Sequence, residues 1–184
     1  MSTLYQGALD ELAQVFAKVD DTAVDRACEM IRDAKRVVVF GGGRERLQIM
    51  GFAMRLHHMG LDVAVEGDMT TPPVGPGDLF VVTVGPGEIS TALALLDVAK
   101  EAGSKILFLT AQPQGRGAAY ADYVLTIPAQ TMADDQGPAK TSVLPMGSLY
   151  EGALFVLFEV MVLKLIALTG VTPEQMRANH TNLE

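Results

Sequence analysis

Apolar residues recur at helical spacing twice before the first strand-like run. Leu4, Ala8, Leu12, Val15, Phe16 and Val19 form one stripe, and Ala23, Val24, Ala27, Ile31 and Ala34 form a second, as amphipathic helices require. The polar break Asp20-Asp21-Thr22 between them predicts an antiparallel helical hairpin over residues 1–35. The pattern then changes to short, unbroken apolar runs at residues 37–40, 63–65, 79–84, 105–109 and 123–127. Runs without alternation mark strands covered on both faces. Helical stretches separate them at 48–59, 88–102 and, briefly, 115–121. Alternating strand and helix over 36–128 predicts an α/β fold, a single doubly wound five-stranded parallel sheet.

Residues 128–145 are polar and aperiodic and predict a long loop, while 148–169 form a very apolar helix. Thr172-Pro173-Glu174-Gln175 then carries the cap, the first-turn proline and the third-position glutamine of a new helix. With 145–184 as C-terminal helices and tail, the chain reads as one domain, 1–184.

Composition narrows the function classes. A formal net charge of -8 repels phosphate backbones and argues against nucleic acid as a partner. The single cysteine, Cys28, excludes an intrachain disulfide. The N-terminus lacks a basic region followed by an apolar core, so no signal peptide is expected and the cytoplasm is the expected location. Glu159 and Lys164 interrupt the apolar stretch 152–168 before it reaches the roughly 18 residues of a spanning helix. A helix buried in the domain or at a subunit interface fits it better than a membrane span.

Candidate chemistry concentrates in loops that follow strands, because open α/β sheets bind ligands beyond the strands' carboxyl ends. One loop is Gly41-Gly42-Gly43-Arg44-Glu45-Arg46, and another is Val84-Gly85-Pro86-Gly87-Glu88-Ile89-Ser90-Thr91. Glycines let a backbone approach a ligand, and a helix N-terminus offers free N–H groups. The same glycines also serve plain tight turns. The first loop lacks the third glycine of GxGxxG, which argues against a dinucleotide cofactor.

Glu151, beside a sheet-top cleft, could move protons between adjacent carbons of a ligand. Ser148-x-x-Glu151 equally has the form of a capping box, so both readings stand. His57 and His58 have no carboxylate or cysteine at metal-ligand spacing, and no metal is expected. His180 lies in the tail, and any use of it requires that tail to fold over a site.

At this point the chain resembles the 6-phospho-3-hexuloisomerases, a branch of the SIS-domain sugar isomerases, over nearly its whole length. The residues that carry the resemblance are Gly41-x-Gly43-Arg44, Phe52-Ala53-Met54-Arg55-Leu56, Thr70-Thr71-Pro72 and Gly77-Asp78-Leu79. Leu144-Pro145-Met146-Gly147 with Glu151, and His180-x-Asn182-Leu183, complete the set. The resemblance implies a flavodoxin-like sheet in homodimers or homotetramers, and no organic cofactor. It also implies isomerisation of a 3-keto to a 2-keto hexose 6-phosphate through an enediol. It makes Glu151 the base and gives His180 a second proton-carrying or ring-opening role, from an adjacent subunit in one version.

Two departures bear on the substrate. The family's first loop reads Gly-x-Gly-Arg-Ser-Gly, whereas Glu45 and Arg46 stand here. Its phosphate loop reads Ser-Gly-Ser-Gly-Glu-Thr, whereas this chain has Val84-Gly85-Pro86-Gly87-Glu88-Ile89. Three hydroxyls are lost, and Pro86 removes an N–H. Each lost bond to phosphate costs ~1.5–3 kcal/mol, unless Arg44 or Arg46 compensates. The expected substrate-binding set is Gly43, Arg44, Glu45, Arg46, Gly85, Gly87, Glu88, Ser90 and Thr91, and the expected ligand is a sugar or sugar phosphate. A non-catalytic sugar-binding protein, an isomerase of unphosphorylated sugars and a purely structural oligomer are the alternatives.

Overall fold

In the computed structural model, which describes residues 3–183, the hairpin comes first: α1 (Leu4–Phe16) and α2 (Asp21–Asp33). Thr3 and Asp20 cap them by accepting from the N–H groups of Gln6 and Thr22. Five strands follow, β1 (Val37–Gly41), β2 (Val63–Val65), β3 (Leu79–Thr83), β4 (Lys105–Thr110) and β5 (Tyr123–Thr126). All pair in parallel in the order β2-β1-β3-β4-β5. Strand order therefore reverses between β1 and β3, where Val37 pairs with Leu79 and Gly41 with Thr83.

The unbroken apolar runs are explained by two cores. Val37, Val39, Leu79, Val81, Leu107 and Leu109 point to one face, where they meet α1, α2, α3 (Glu45–His58) and α5 (Ser148–Thr169). Val38, Phe40, Phe80, Val82, Ile106 and Phe108 point to the other, under α4 (Ser90–Glu101) and a 3-10 turn, Arg116–Tyr120. Side chains alternate with period 2, yet both halves of the alternation are buried. Phe52 of α3 stacks on Phe158 of α5, with centroids 4.5 Å apart and planes 9° from parallel.

The apolar helix α5 buries Leu149, Tyr150, Ala153, Leu154, Leu157, Phe158, Met161, Val162 and Leu165 and exposes Phe155 and Leu163. It is long and apolar enough to cross a membrane by composition, but one whole side of it is core. The final helix α6 (Pro173–Ala178) carries the expected capping box between Thr172 and Gln175.

Two helix starts differ from the sequence reading. α3 begins at Glu45 rather than 48, because the glycine turn is completed by Arg44. α4 begins at Ser90 rather than 88, because Ile89 is extended (φ -142°) and acts as the N-cap.

Candidate active site

The turn after β1 is forced to be small. A side chain at Gly41 would lie 2.8 Å from the Arg46 nitrogen, and one at Gly42 would lie 2.6 Å from the Ile89 methyl. The first loop therefore packs directly on the second, and Glu45, first residue of α3, is aimed at the end of β3. Its Oε2 accepts from the Thr83 hydroxyl at 2.8 Å and its Oε1 from the Gly85 N–H at 2.9 Å. Thr83 Oγ1 lies 3.1 Å from the Tyr150 hydroxyl, which α5 brings in fully buried.

Glu151 follows Tyr150 and pairs with Arg44 at 3.1 Å. The Arg44 guanidinium also donates to the Met146 carbonyl and, at 3.3 Å, to Ser148 Oγ. Of the two readings of Ser148-x-x-Glu151, the capping box does not form. Gly147 is the N-cap, and the Ser148 hydroxyl donates backward to the Pro145 carbonyl at 2.6 Å. Glu151 is thus released from capping duty and oriented by an arginine from another loop. Met146 (φ +54°) and Gly147 (φ +75°) are both left-handed, a conformation that costs a residue with a side chain ~1–3 kcal/mol. This sharp reversal turns the start of α5 toward the first loop.

Together these elements enclose a cleft of about 290 Å3. Gly42, Gly43, Arg44 and Glu45 form one wall, Val84, Pro86 and Ile89 a second, and Thr131, Met132, Met146, Gly147, Tyr150 and Glu151 the third. It sits at the β1–β3 boundary, where strand order reverses. A larger depression, about 550 Å3, lies at the β2 edge between Met50, Met54 and His57 of α3 and residues 68–72.

Electrostatics separate the two cleft glutamates. Burial pushes the Glu45 carboxyl up to about 7, and Glu151 adds to the rise, while the Gly85 and Thr83 donors pull against it. Burial also raises Glu151, with Arg44 opposing. Tyr150 is raised well above its ordinary value by burial and by Glu45.

Of the residues expected from sequence, Gly43, Arg44, Glu45 and Glu151 line this cleft. Gly85 stands behind Glu45, and it has no room for a side chain between Tyr150 and Thr131. Arg46 turns the other way, donating to the Glu66 carbonyl at 2.5 Å and meeting the Glu66 carboxylate at 3.4 Å. Gly87 (φ +84°) closes against Gln112 and Gly115. Glu88 faces Arg116 at 3.8 Å, and Ser90 and Thr91 are exposed at the start of α4, outside the cleft lining.

His180 stacks on His58 with centroids 4.9 Å apart, and Asn179 bonds the His58 carbonyl at 3.0 Å. That contact is at the far end of the 14-residue α3, about 20 Å from Glu45 at ~1.5 Å per residue. Thr83, Thr131 and Met132 complete the site without having been singled out in the sequence, and Tyr150 does so from a candidate segment in which only Glu151 was given a role. The only local hint was a tyrosine one position before the candidate base.

The chain matches the SIS domain model over residues 30–155. It is 39% identical to a 3-hexulose-6-phosphate isomerase of Mycobacterium gastri, over 95% of this chain and 87% of that one. It is 32% identical to one of Bacillus subtilis, over 96% and 95%. Among solved structures it superposes on a hypothetical protein of Methanococcus jannaschii, inferred to be a 3-hexulose-6-phosphate isomerase, with TM-score 0.83. There the identity is 23%, over 96% of this chain and 98% of that one. Sheet order, cleft position and these matches agree: the chain belongs to the SIS-domain family of sugar isomerases.

Proposed function

We propose that this protein is a phosphosugar isomerase that interconverts a 3-keto and a 2-keto hexose 6-phosphate through an enediol, with Glu151 as the base at carbon. The observation that carries the reading is the state of Glu151. It lines a cleft at the β1–β3 boundary, is free of the helix cap and is held by Arg44 3.1 Å away. A carboxylate so placed can take a proton from one carbon and return it to the next. The relatives' names support the substrate class.

Proton NMR in heavy water with fructose 6-phosphate tests this. Solvent deuterium should enter a substrate C–H position, and Glu151→Gln should abolish the exchange. Failure of the wild type to exchange overturns the reading.

The second loop favours a further reading. Pro86 and Ile89 line the cleft where the family carries hydroxyls, and the Gly85 N–H is taken by Glu45. An unphosphorylated ketose as substrate would show exchange with free fructose and none with its phosphate ester.

Homo-oligomers belong to the proposal as well. Leu47, Met50 and Met54 of α3, Phe155 and Leu163 of α5, and Leu4, Tyr5 and Leu9 of α1 are exposed apolar residues on helices that pack together. His180 stacks on His58, at the opposite end of α3 from Glu45 and about 20 Å from it along the helix, so chemistry by His180 would come from a neighbouring copy. Sedimentation equilibrium reads the subunit number.

A further inference from the structure

We propose that Glu45 is the acid that carries the oxygen-bound proton in this isomerisation, working opposite Glu151 from within the same chain. The assignment rests on the isomerase reading above. An enediol reaction needs two proton carriers, one for carbon and one for oxygen, and they must differ in charge when the substrate arrives. The cleft holds two carboxyl groups, and the fold treats them differently. Arg44 pairs with Glu151, whereas among the described residues no cation pairs with Glu45.

The groups facing Glu45 can be followed element by element. From β3 and its loop come Thr83 and Gly85, neither of which titrates, and from α5 come Tyr150 and Glu151. On its own turn, Arg44 is spent on Glu151 and Met146, and Arg46 on Glu66. A carboxyl that is 8% exposed, faces another carboxylate and lacks a cation keeps its proton toward neutral pH. Its value of about 7 is the poise of an efficient proton donor at physiological pH. The Thr83 hydroxyl and Gly85 N–H fix both carboxyl oxygens in place at the cleft wall.

The step balances. Ionised Glu151 takes the C2 proton, and the C–H electron pair becomes the C2=C3 bond. The C3 carbonyl π pair takes the proton of Glu45. The enediol then stands between a neutral Glu151 and an ionised Glu45. Next the C2 hydroxyl gives its proton to Glu45 as its O–H pair becomes C2=O, and the C2=C3 pair takes the proton of Glu151 at C3. C2 is oxidised, C3 is reduced, and both glutamates return to their starting states without any outside reagent.

The test is the pH dependence of kcat for hexulose 6-phosphate isomerisation by the full chain, in the wild type, Glu45→Gln and Thr83→Val. Wild-type kcat should fall above about pH 7 as Glu45 ionises. Glu45→Gln should lower kcat by roughly 10²–10⁴-fold and lose that alkaline limb. Thr83→Val removes a donor to the ionised carboxyl, so its limb should move to higher pH. A folded Glu45→Gln with kcat within about tenfold of wild type and the same limb overturns the assignment. If that variant unfolds, an unmoved limb in Thr83→Val overturns it instead. A wild type that isomerises no hexulose phosphate overturns the functional reading, and this assignment with it.

Discussion

Replacing Glu45 by glutamine removes a titrating group from the interior while keeping the shape that Gly85 and Thr83 grip, and its effect on stability follows from the linkage between proton binding and folding. Glu45 ordinarily titrates at 4.5 and in the fold at about 7. Between those pH values the folded chain holds a proton that the unfolded chain has released. Stability contributed at this position therefore falls as pH rises through the window, and levels off above it. At ~1.36 kcal/mol per pH unit, the gap corresponds to ~3 kcal/mol. Glutamine carries no such penalty. Its carbonyl can accept from Gly85, and its amide can donate to a Thr83 hydroxyl turned toward Tyr150. Glu45→Gln is therefore expected to be more stable than the wild type by up to ~3 kcal/mol at pH 8. The difference should shrink to about 1 kcal/mol or less at pH 5, where the folded carboxyl is neutral and only the lower edge of the linkage window has been crossed. Urea unfolding at pH 5, 6, 7 and 8, at one protein concentration, measures it as a change in midpoint at constant slope. The other carboxylates cancel in the comparison. Equal dependence on pH in the two proteins would refute both the burial argument and the claim that Glu45 lacks a cation.

Arg44→Ala removes the cation that holds Glu151 down, so the acid limb of kcat/KM should move to higher pH. Stability should change by only ~1 kcal/mol or less, because this pair is partly exposed. An unmoved limb contradicts the role given to Arg44. Gly147→Ala places a methyl 2.7 Å from the Met132 nitrogen at a residue with φ +75°, and should cost roughly 2–4 kcal/mol in denaturant unfolding. Phe158→Ala removes a buried ring stacked on Phe52 and should cost about 3–5 kcal/mol. A cost under about 1.5 kcal/mol would mean that the α3–α5 contact relaxes into the space.

The strands were legible because burial on both faces writes itself as an unbroken apolar run, and all five emerged where 37–40, 63–65, 79–84, 105–109 and 123–127 predict. The helix starts were less so. Ser148-x-x-Glu151 satisfies the letters of a capping box, yet the left-handed pair Met146-Gly147 sets the cap one residue earlier. Only contacts remote in sequence, Gly147 against Met132 and Arg44 against the Met146 carbonyl, decide between them.

Arg44 and Arg46 are identical in type and two positions apart, but two helical steps, about 200° at 3.6 residues per turn, send them to opposite sides, toward Glu151 and toward Glu66. No local pattern distinguishes them. Thr83 was hidden because it sits inside the apolar run 79–84, where a hydroxyl reads as tolerated rather than placed, and Tyr150 because one tyrosine beside Glu151 says nothing of the buried hydroxyl it meets. The aperiodic segment 128–145 is also ordered from afar. Gln130 bonds the carbonyls of Asp134 and Ala139 and the Ser142 N–H, and Glu11 of α1 takes both Ser142 and Val143.

The packing of α1 and α2 on α5 also has a consequence for synthesis on the ribosome. α1 and α2 have their apolar stripes matched by a helix that begins more than 110 residues later, at Ser148, and their face of the sheet lacks β3 until residue 83 is made. For most of translation their Val15, Val24 and Ile31 lack the α5 surface that completes their core. Completion of the fold therefore waits on α5, and chains arrested before it should be the protease-sensitive, chaperone-bound form of this protein.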